Sequence, residues 1–192
     1  MNIILASKSP RRADLLRKAE IPFVQVNPPE HAETENTDNT DIRFLAVENA
    51  LRKAESVSSS YPDSIVIGAD TIVISPDGRI FGKPDTEDEA FSILSALSGT
   101  THSVVTGVAL IVASQEIKET HMEETKVTMK NMSGEDIRSY IADDKPFDKA
   151  GAYAIQEGGD RFIDKVDGDF SNVVGLPVYK VAEMIEEVIS KQ

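Results

Sequence analysis

Residues 65–84 read IVIGADTIVISPDGRIFGKP, and the fold turns on how this stretch is parsed. Two β-branched runs, 65–67 and 71–74, flank Gly68-Ala69-Asp70, and branched side chains favour strands. Pro76-Asp77-Gly78 then reverses the chain, because proline presets φ and glycine accepts φ > 0. The stretch is a hairpin with an acid in the middle of its first arm. A carboxylate between apolar strand segments must find hydrogen bonds, a cation or a cleft, since burying it unpaired is costly. Asp70 is therefore either a turn or bulge acid, or a metal ligand or general base. In the second case Lys83, held between Gly82 and Pro84, is a charge partner in the same cleft.

Upstream of the hairpin, Asp41 is placed to cap a helix through about Val57, with Phe44, Leu45, Val47, Ala50, Leu51 and Ala54 at helical spacing. Before it, residues 27–40 are rich in Pro, Asn, Thr and acids and read as a loop. Its Glu30, His31, Glu33 and Glu35 are either solvated or able to reach the cleft. Residues 21–26 read as a strand, and so do residues 2–6, which run into Ser7-Lys8-Ser9-Pro10-Arg11-Arg12. Ser9 as N-cap and Pro10 at the first helical position start a helix. Helix N-termini favour carboxylates, yet this one carries Lys8, Arg11 and Arg12. Either the arginines are solvated, or the site is built for an anion, phosphate being the usual one there. The glycines of a Walker A loop are missing.

Downstream, Thr86-Glu87-Asp88-Glu89 opens a helix that Ser98-Gly99 stops. Residues 102–113 form a long strand in which Gly107 marks a bulge or a close backbone approach. Residues 116–130 alternate like a half-exposed antiparallel strand, and Ser133 caps a helix through Ile141. Residues 145–156, KPFDKAGAYAIQ, set two lysines, an acid and an amide around a turn of small residues. Residues 167–177, DGDFSNVVGLP, are polar and glycine-rich and lead into a final helix to about Ile189. The second of these is either a ligand-facing or a plain connecting loop. His102 and His121 carry no catalytic weight, and three histidines without metal spacing make no zinc site. The order of elements predicts a mixed α/β sheet in two lobes with a cleft between them.

Composition narrows the function. At 192 residues and 40% hydrophobic content, the chain is read as one domain, 1–192. No apolar run approaches the ~18 residues of a membrane span, which argues against a membrane partner. The N-terminus has its apolar part first and its cations after, the reverse of a secretory signal. There are no cysteines, which fits a cytoplasmic protein. A net charge of −13 argues against polymeric nucleic acid, though not against a small anion in a local cationic pocket.

Six strings now stand in one register: LASKSPRR, GADTIV, GKP, LSGTTHSVVTGV, DKAGAYAIQ and GDFSNVVGLP. Together they resemble the Maf family of nucleoside triphosphate pyrophosphatases over almost the whole chain. The resemblance implies a mixed twisted sheet in two lobes with a central cleft, related to the inosine-triphosphate pyrophosphatases; a homodimer is the expected assembly. It implies a hydrolase of phosphoric anhydride bonds that takes a nucleoside triphosphate to the monophosphate and pyrophosphate with a divalent cation, Mg²⁺ or Mn²⁺. By position Asp70 is the proton acceptor and Lys83 a second catalytic residue. Arg11, Thr71 and Gln156 match base-selecting positions, while Ser7, Arg12, Asp148 and Lys149 match other pocket positions. Asp70 and Glu33 are the implied metal ligands, Glu33 if its loop slips by a residue.

The string GAYAIQ resembles the branch acting on dTTP and UTP, and an amide offers the donor and acceptor that a uracil or thymine edge requires. The branch acting on 7-methyl-GTP is the alternative, as is a non-catalytic nucleotide-binding regulator of cell division. Two departures support the latter. The family's LAxxKA motif reads here as residues 45–50, LAVENA, with Asn49 in the lysine's place, and Arg52 and Lys53 are the cations able to compensate. The family's acidic pair is reduced to Glu30-His31-Ala32-Glu33.

Overall fold

The computed structural model describes residues 1–34, 41–156 and 158–191; Glu35 lies outside them. In chain order the elements are β1 (Ile3–Ala6), α1 (Pro10–Lys18), β2 (Val24–Val26), α2 (Phe44–Ser58), β3 (Ile65–Ile74), β4 (Ile80–Phe81) and α3 (Glu87–Leu97). They continue with β5 (Thr101–Val112), β6 (Ile117–Met129), α4 (Gly134–Asp144), β7 (Ile163–Asp167), α5 (Phe170–Val174) and α6 (Val178–Ser190). Hydrogen bonding orders the strands β2-β1-β3-β5-β6-β7, with β4 on β3. β1 is parallel to both β2 and β3, with Ile4 opposite Val24 and Val66, whereas β4 and β7 pair antiparallel with β3 and β6. The sheet is mixed and the fold α/β.

The chain forms two compact units: Met1–Thr71, Thr106–Glu123 and Gly175–Gln192 in the first, Ile72–Val105 and Glu124–Val174 in the second. In the first, Leu5, Ile67 and Leu110 pack with Leu16 of α1 and Val181, Met184 and Val188 of α6. Ile4, Val66 and Ala109 pack with Ala50, Ala54 and Val57 of α2. The two apolar sets alternate along the strands, which explains why β1 and β3 read as unbroken apolar runs rather than alternating ones. The core of the second unit gathers Leu94, Leu97, Val104, Val127, Tyr140, Ile141 and Tyr153. No helix among the described residues is long and apolar enough to cross a membrane.

The hairpin is confirmed with one sharpening: β3 is continuous for ten residues, so Asp70 belongs to a strand and not to a turn or bulge. Gly78 turns the chain at φ 84°, and Ser75 N donates to Arg79 O at 2.9 Å. Ser9 caps α1 as expected, its Oγ accepting from Arg12 N at 3.4 Å. Asp41 does not cap α2. Its carboxylate accepts from Arg43 N, Nε and Nη2 at 3.1, 2.8 and 2.6 Å, so a local turn uses it and the helix starts at Phe44. The second strand begins only at Val24. Glu20 turns at φ 57° and Ile21 N donates to Leu16 O, so these residues close α1 instead. Residues 170–174 form α5 where the sequence predicts loop, and residues 163–167 form β7, for which the sequence gives no strand signal. The pairing that makes β7 comes from Lys126, Val127, Thr128 and Met129, a partner remote in sequence.

Candidate functional site

In the first unit the site starts from two missing side chains. A Cβ on Gly68 of β3 would collide with Ala50 O and crowd Ala54 N at 2.8 Å, and one on Gly107 of β5 would collide with the backbone of Ala46 and Val47. The two glycines let the backbone of α2 lie directly on these strands. Strand alternation puts Asp70 on the same face as Gly68, so the close helix reaches it. Asn49 and Lys53, four residues apart on one face of α2, both do. Lys53 Nζ bonds Asp70 Oδ1 at 2.7 Å, and Asn49 Nδ2 donates to Asp70 Oδ2 at 3.2 Å. Lys53 is 4% exposed, and its ammonium also pairs with Glu33 Oε1 at 2.6 Å.

This answers the question posed by Asn49. The cation at the site is Lys53, one helical turn further on. Asn49 does different work, its amide accepting from Thr34 N at 2.8 Å and donating to Thr34 O at 3.0 Å. It thereby ties the loop that carries Glu33 to α2. Of the two loop acids, Glu33 reaches the cluster, whereas Glu30 pairs with Lys8 at 3.3 Å where both are exposed.

Beside this cluster lies Arg12, 8% exposed, with its guanidinium turned inward. Nε donates to Gly175 O at 2.8 Å, Nη1 to Ser7 Oγ at 3.3 Å and Nη2 to Thr71 Oγ1 at 3.1 Å. All three acceptors are neutral, so the hydrogen bonds hold the cation in place without cancelling its charge. Burial pulls the guanidinium pKa below its ordinary value, and the charges of Asp70 and Glu33 act the other way. Thr71 also shares a hydrogen bond with Thr106 at 2.9 Å. Arg11 is half-buried at the start of α1.

The second unit holds the other expected positions. Lys83 is exposed just past β4. Its neighbour Gly82 accepts through its carbonyl from Gly151 N at 3.0 Å, which ties the GKP segment to the turn at 150–152. Lys149 is 6% exposed, with Nζ on Asp148 Oδ1 at 2.8 Å. Gln156 is half-buried at the end of the same segment. His121 Nε2 lies 3.0 Å from Glu123 Oε2.

A family model described as "Maf-like protein" matches residues 2–188. The chain belongs to the Maf family. It is 43% identical over 97% of its length to a protein of Caldanaerobacter subterraneus named dTTP/UTP pyrophosphatase, covering 88% of that relative. A protein of the same name from Koribacter versatilis is 45% identical over 96% of this chain and 93% of its own length. One from Bacillus cereus is 43% identical over 96% and 94%. Among solved structures, a nucleoside-triphosphatase / dITP/XTP pyrophosphatase of Mycobacterium abscessus aligns at 21% identity with a TM-score of 0.41, covering 69% of this chain and 76% of the other.

Within this Maf chain, Lys53 and Thr106 are the site residues that motif reading undervalued. A signal for Lys53 was present: residues 49–54, NALRKA, repeat the lysine-alanine ending of the family motif one turn after LAVENA. Thr106 carries no such signal, because a threonine in a buried strand looks like any other β-branched residue.

Among the described residues no group of three or more His, Cys, Asp or Glu is placed to hold a metal ion. Two carboxylates, Asp70 and Glu33, nevertheless converge on one ammonium. Hard oxygen donors of this number suit Mg²⁺ or Mn²⁺, which commonly bind through one or two carboxylates together with substrate phosphates. The two carboxylates are a donor set of the kind such ions use.

Proposed function

We propose that this Maf protein hydrolyses dTTP and UTP to the nucleoside monophosphate and pyrophosphate. The observation that carries the reading is the Asp70 carboxylate, clamped at one oxygen by Lys53 and at the other by Asn49. It lies one residue from Thr71, which takes a hydrogen bond from the buried guanidinium of Arg12. A carboxylate fixed at both oxygens is positioned to orient and deprotonate a water. Charge held on neutral partners is positioned to attract a polyanion.

Water attacks the α-phosphorus, the bond to the bridging oxygen of the β-phosphate breaks, pyrophosphate leaves, and Asp70 takes the proton. Arg12 and the start of α1 with Arg11 bind the phosphates. Ser7 and Thr71 hold Arg12. Lys83, Asp148, Lys149 and Gln156 are the further positions that the family resemblance gives to the nucleotide, the Gln156 amide offering the base one donor and one acceptor. Asp70 and Glu33 would hold the divalent cation, which would supply neutralisation of phosphate charge. A cytoplasmic location and a homodimer belong to the same proposal. The regulator reading drew on the apparent loss of the lysine, and Lys53 removes that ground.

The test is turnover of a panel of nucleoside triphosphates with Mg²⁺ and with Mn²⁺, scoring pyrophosphate and orthophosphate separately. Pyrophosphate from dTTP and UTP is expected. Pyrophosphate from purine nucleotides alone would keep the reaction and discard the role of Gln156. Nucleotide binding without turnover would sink the enzyme reading.

A further inference from the structure

We propose that His102 and Tyr153 form a buried latch that positions the turn at 150–156, and through it Gln156, for base selection. The inference rests on the proposed role of Gln156. His102 of β5 is 1% exposed and Tyr153 6%, and the imidazole Nε2 lies 2.7 Å from the phenol Oη with the rings edge to face. A second tyrosine acts on the next residue, the Tyr140 hydroxyl of α4 accepting from Ala154 N at 3.2 Å. At the other end of the turn Gly151 N is held by Gly82 O. Gln156 lies two residues beyond Ala154, the last of these anchored residues.

The turn needs holding. Gly151 and Ala152 sit at φ 72° and 59°, two successive left-handed residues, and alanine pays a steric cost there that its surroundings must offset. Ala152 is completely buried, and the side chain of Val73 closes over Gly151, where a Cβ would stand 2.8 Å from it. The latch also carries a cost of its own. His102 Nδ1 is buried without a hydrogen-bond partner among the described residues. Leaving a buried polar atom unpaired is unfavourable, and an apolar side chain of similar volume would pack there more cheaply. What an imidazole adds at this place is the one hydrogen bond it makes, to Tyr153. Burial holds the imidazole pKa down at about 4 and pushes the phenol's up, so at neutral pH both rings are uncharged and the link is a neutral hydrogen bond.

The test uses the full-length protein with Tyr153→Phe, which removes the hydroxyl and keeps the ring in the core. Two quantities are read: amide exchange across 150–156, and the ratio of kcat/KM for UTP over CTP, whose base edges differ in donor and acceptor. Tyr153→Phe is expected to speed exchange in that segment and to lower the ratio about tenfold while pyrophosphate is still released. Gln156→Ala is expected to collapse the same ratio, and adding Tyr153→Phe to it to change the ratio no further. His102→Gln, whose amide reaches for the same hydroxyl, should hold the ratio within about threefold of wild type, where His102→Phe behaves like Tyr153→Phe. If His102→Phe does not fold, the tyrosine variant decides alone. Unchanged exchange, or a wild-type ratio in Tyr153→Phe beside a collapsed one in Gln156→Ala, overturns the latch and leaves Gln156 its role. A wild-type ratio in Gln156→Ala overturns the base-reading role and the positioning role with it.

Discussion

Asp70 and Gln156 are held by opposite means. Around Asp70 the first unit uses charge: a buried ammonium between two carboxylates, with a buried guanidinium nearby. Around Gln156 the second unit uses neutral hydrogen bonds from two tyrosines and a histidine, and a backbone bent into the left-handed region. Charge contacts in a desolvated place are strong, but removing one partner strands the other. Neutral contacts are individually modest, so a turn built from them can be retuned by single substitutions. The difference suits the roles proposed for them, a fixed reaction at Asp70 and an adjustable specificity at Gln156.

The largest effect that would break this comparison lies at its charged side. Asp70→Asn keeps the shape and removes the proposed proton acceptor, so pyrophosphate release should fall by roughly 10²–10⁴-fold with the far-ultraviolet circular dichroism unchanged. Near-normal turnover would remove Asp70 from the chemistry. Next comes Lys53→Met. It leaves Asp70 and Glu33 facing each other without their shared cation, and urea unfolding should show a loss of about 3–5 kcal/mol. Gly68→Ala probes the close approach that brings the cluster together: it must push α2 away from β3, costing roughly 1–3 kcal/mol and lowering kcat even though no charged group is touched.

The neutral side makes its own prediction with pH. His102 keeps a pKa of about 4 in the folded chain against an ordinary value of 6.5. Between those values the unfolded chain binds a proton that the folded one refuses, so this contribution to stability is complete above pH 6.5 and is lost as pH falls towards 4. By about pH 5 the loss should reach roughly 2 kcal/mol, read from urea midpoints at the two pH values, and His102→Gln should abolish it. The smallest effect is Asn49→Ala, which frees both the loop at Thr34 and one oxygen of Asp70; it should cost about 1 kcal/mol of stability and lower kcat far less than Asp70→Asn does.

Much of this was written locally. Ser9-Pro10 starts α1, Thr86 starts α3, Ser133 starts α4 and Pro76-Asp77-Gly78 turns the hairpin, because caps and turns are contests between near neighbours in the chain. Asp41 failed as a cap for an equally local reason: Arg43, two residues away, satisfied its carboxylate first. β7 was missed because a short, polar strand exists only through its partner.

The sequence by itself determined the α/β class, the order of most elements, and Asp70 as the residue needing an explanation. The apolar periods and the misplaced carboxylate are properties of the chain at short range. Only the tertiary structure decided who answers Asp70. Motif register put the question to Asn49, and packing answered with Lys53, because Gly68 and Gly107 carry no side chain to keep α2 away. The same holds for His102, unremarkable on its strand until the fold sets it 2.7 Å from Tyr153. Hydrogen bonds and ion pairs act over a few ångströms, and which groups meet at that range depends on how whole elements pack.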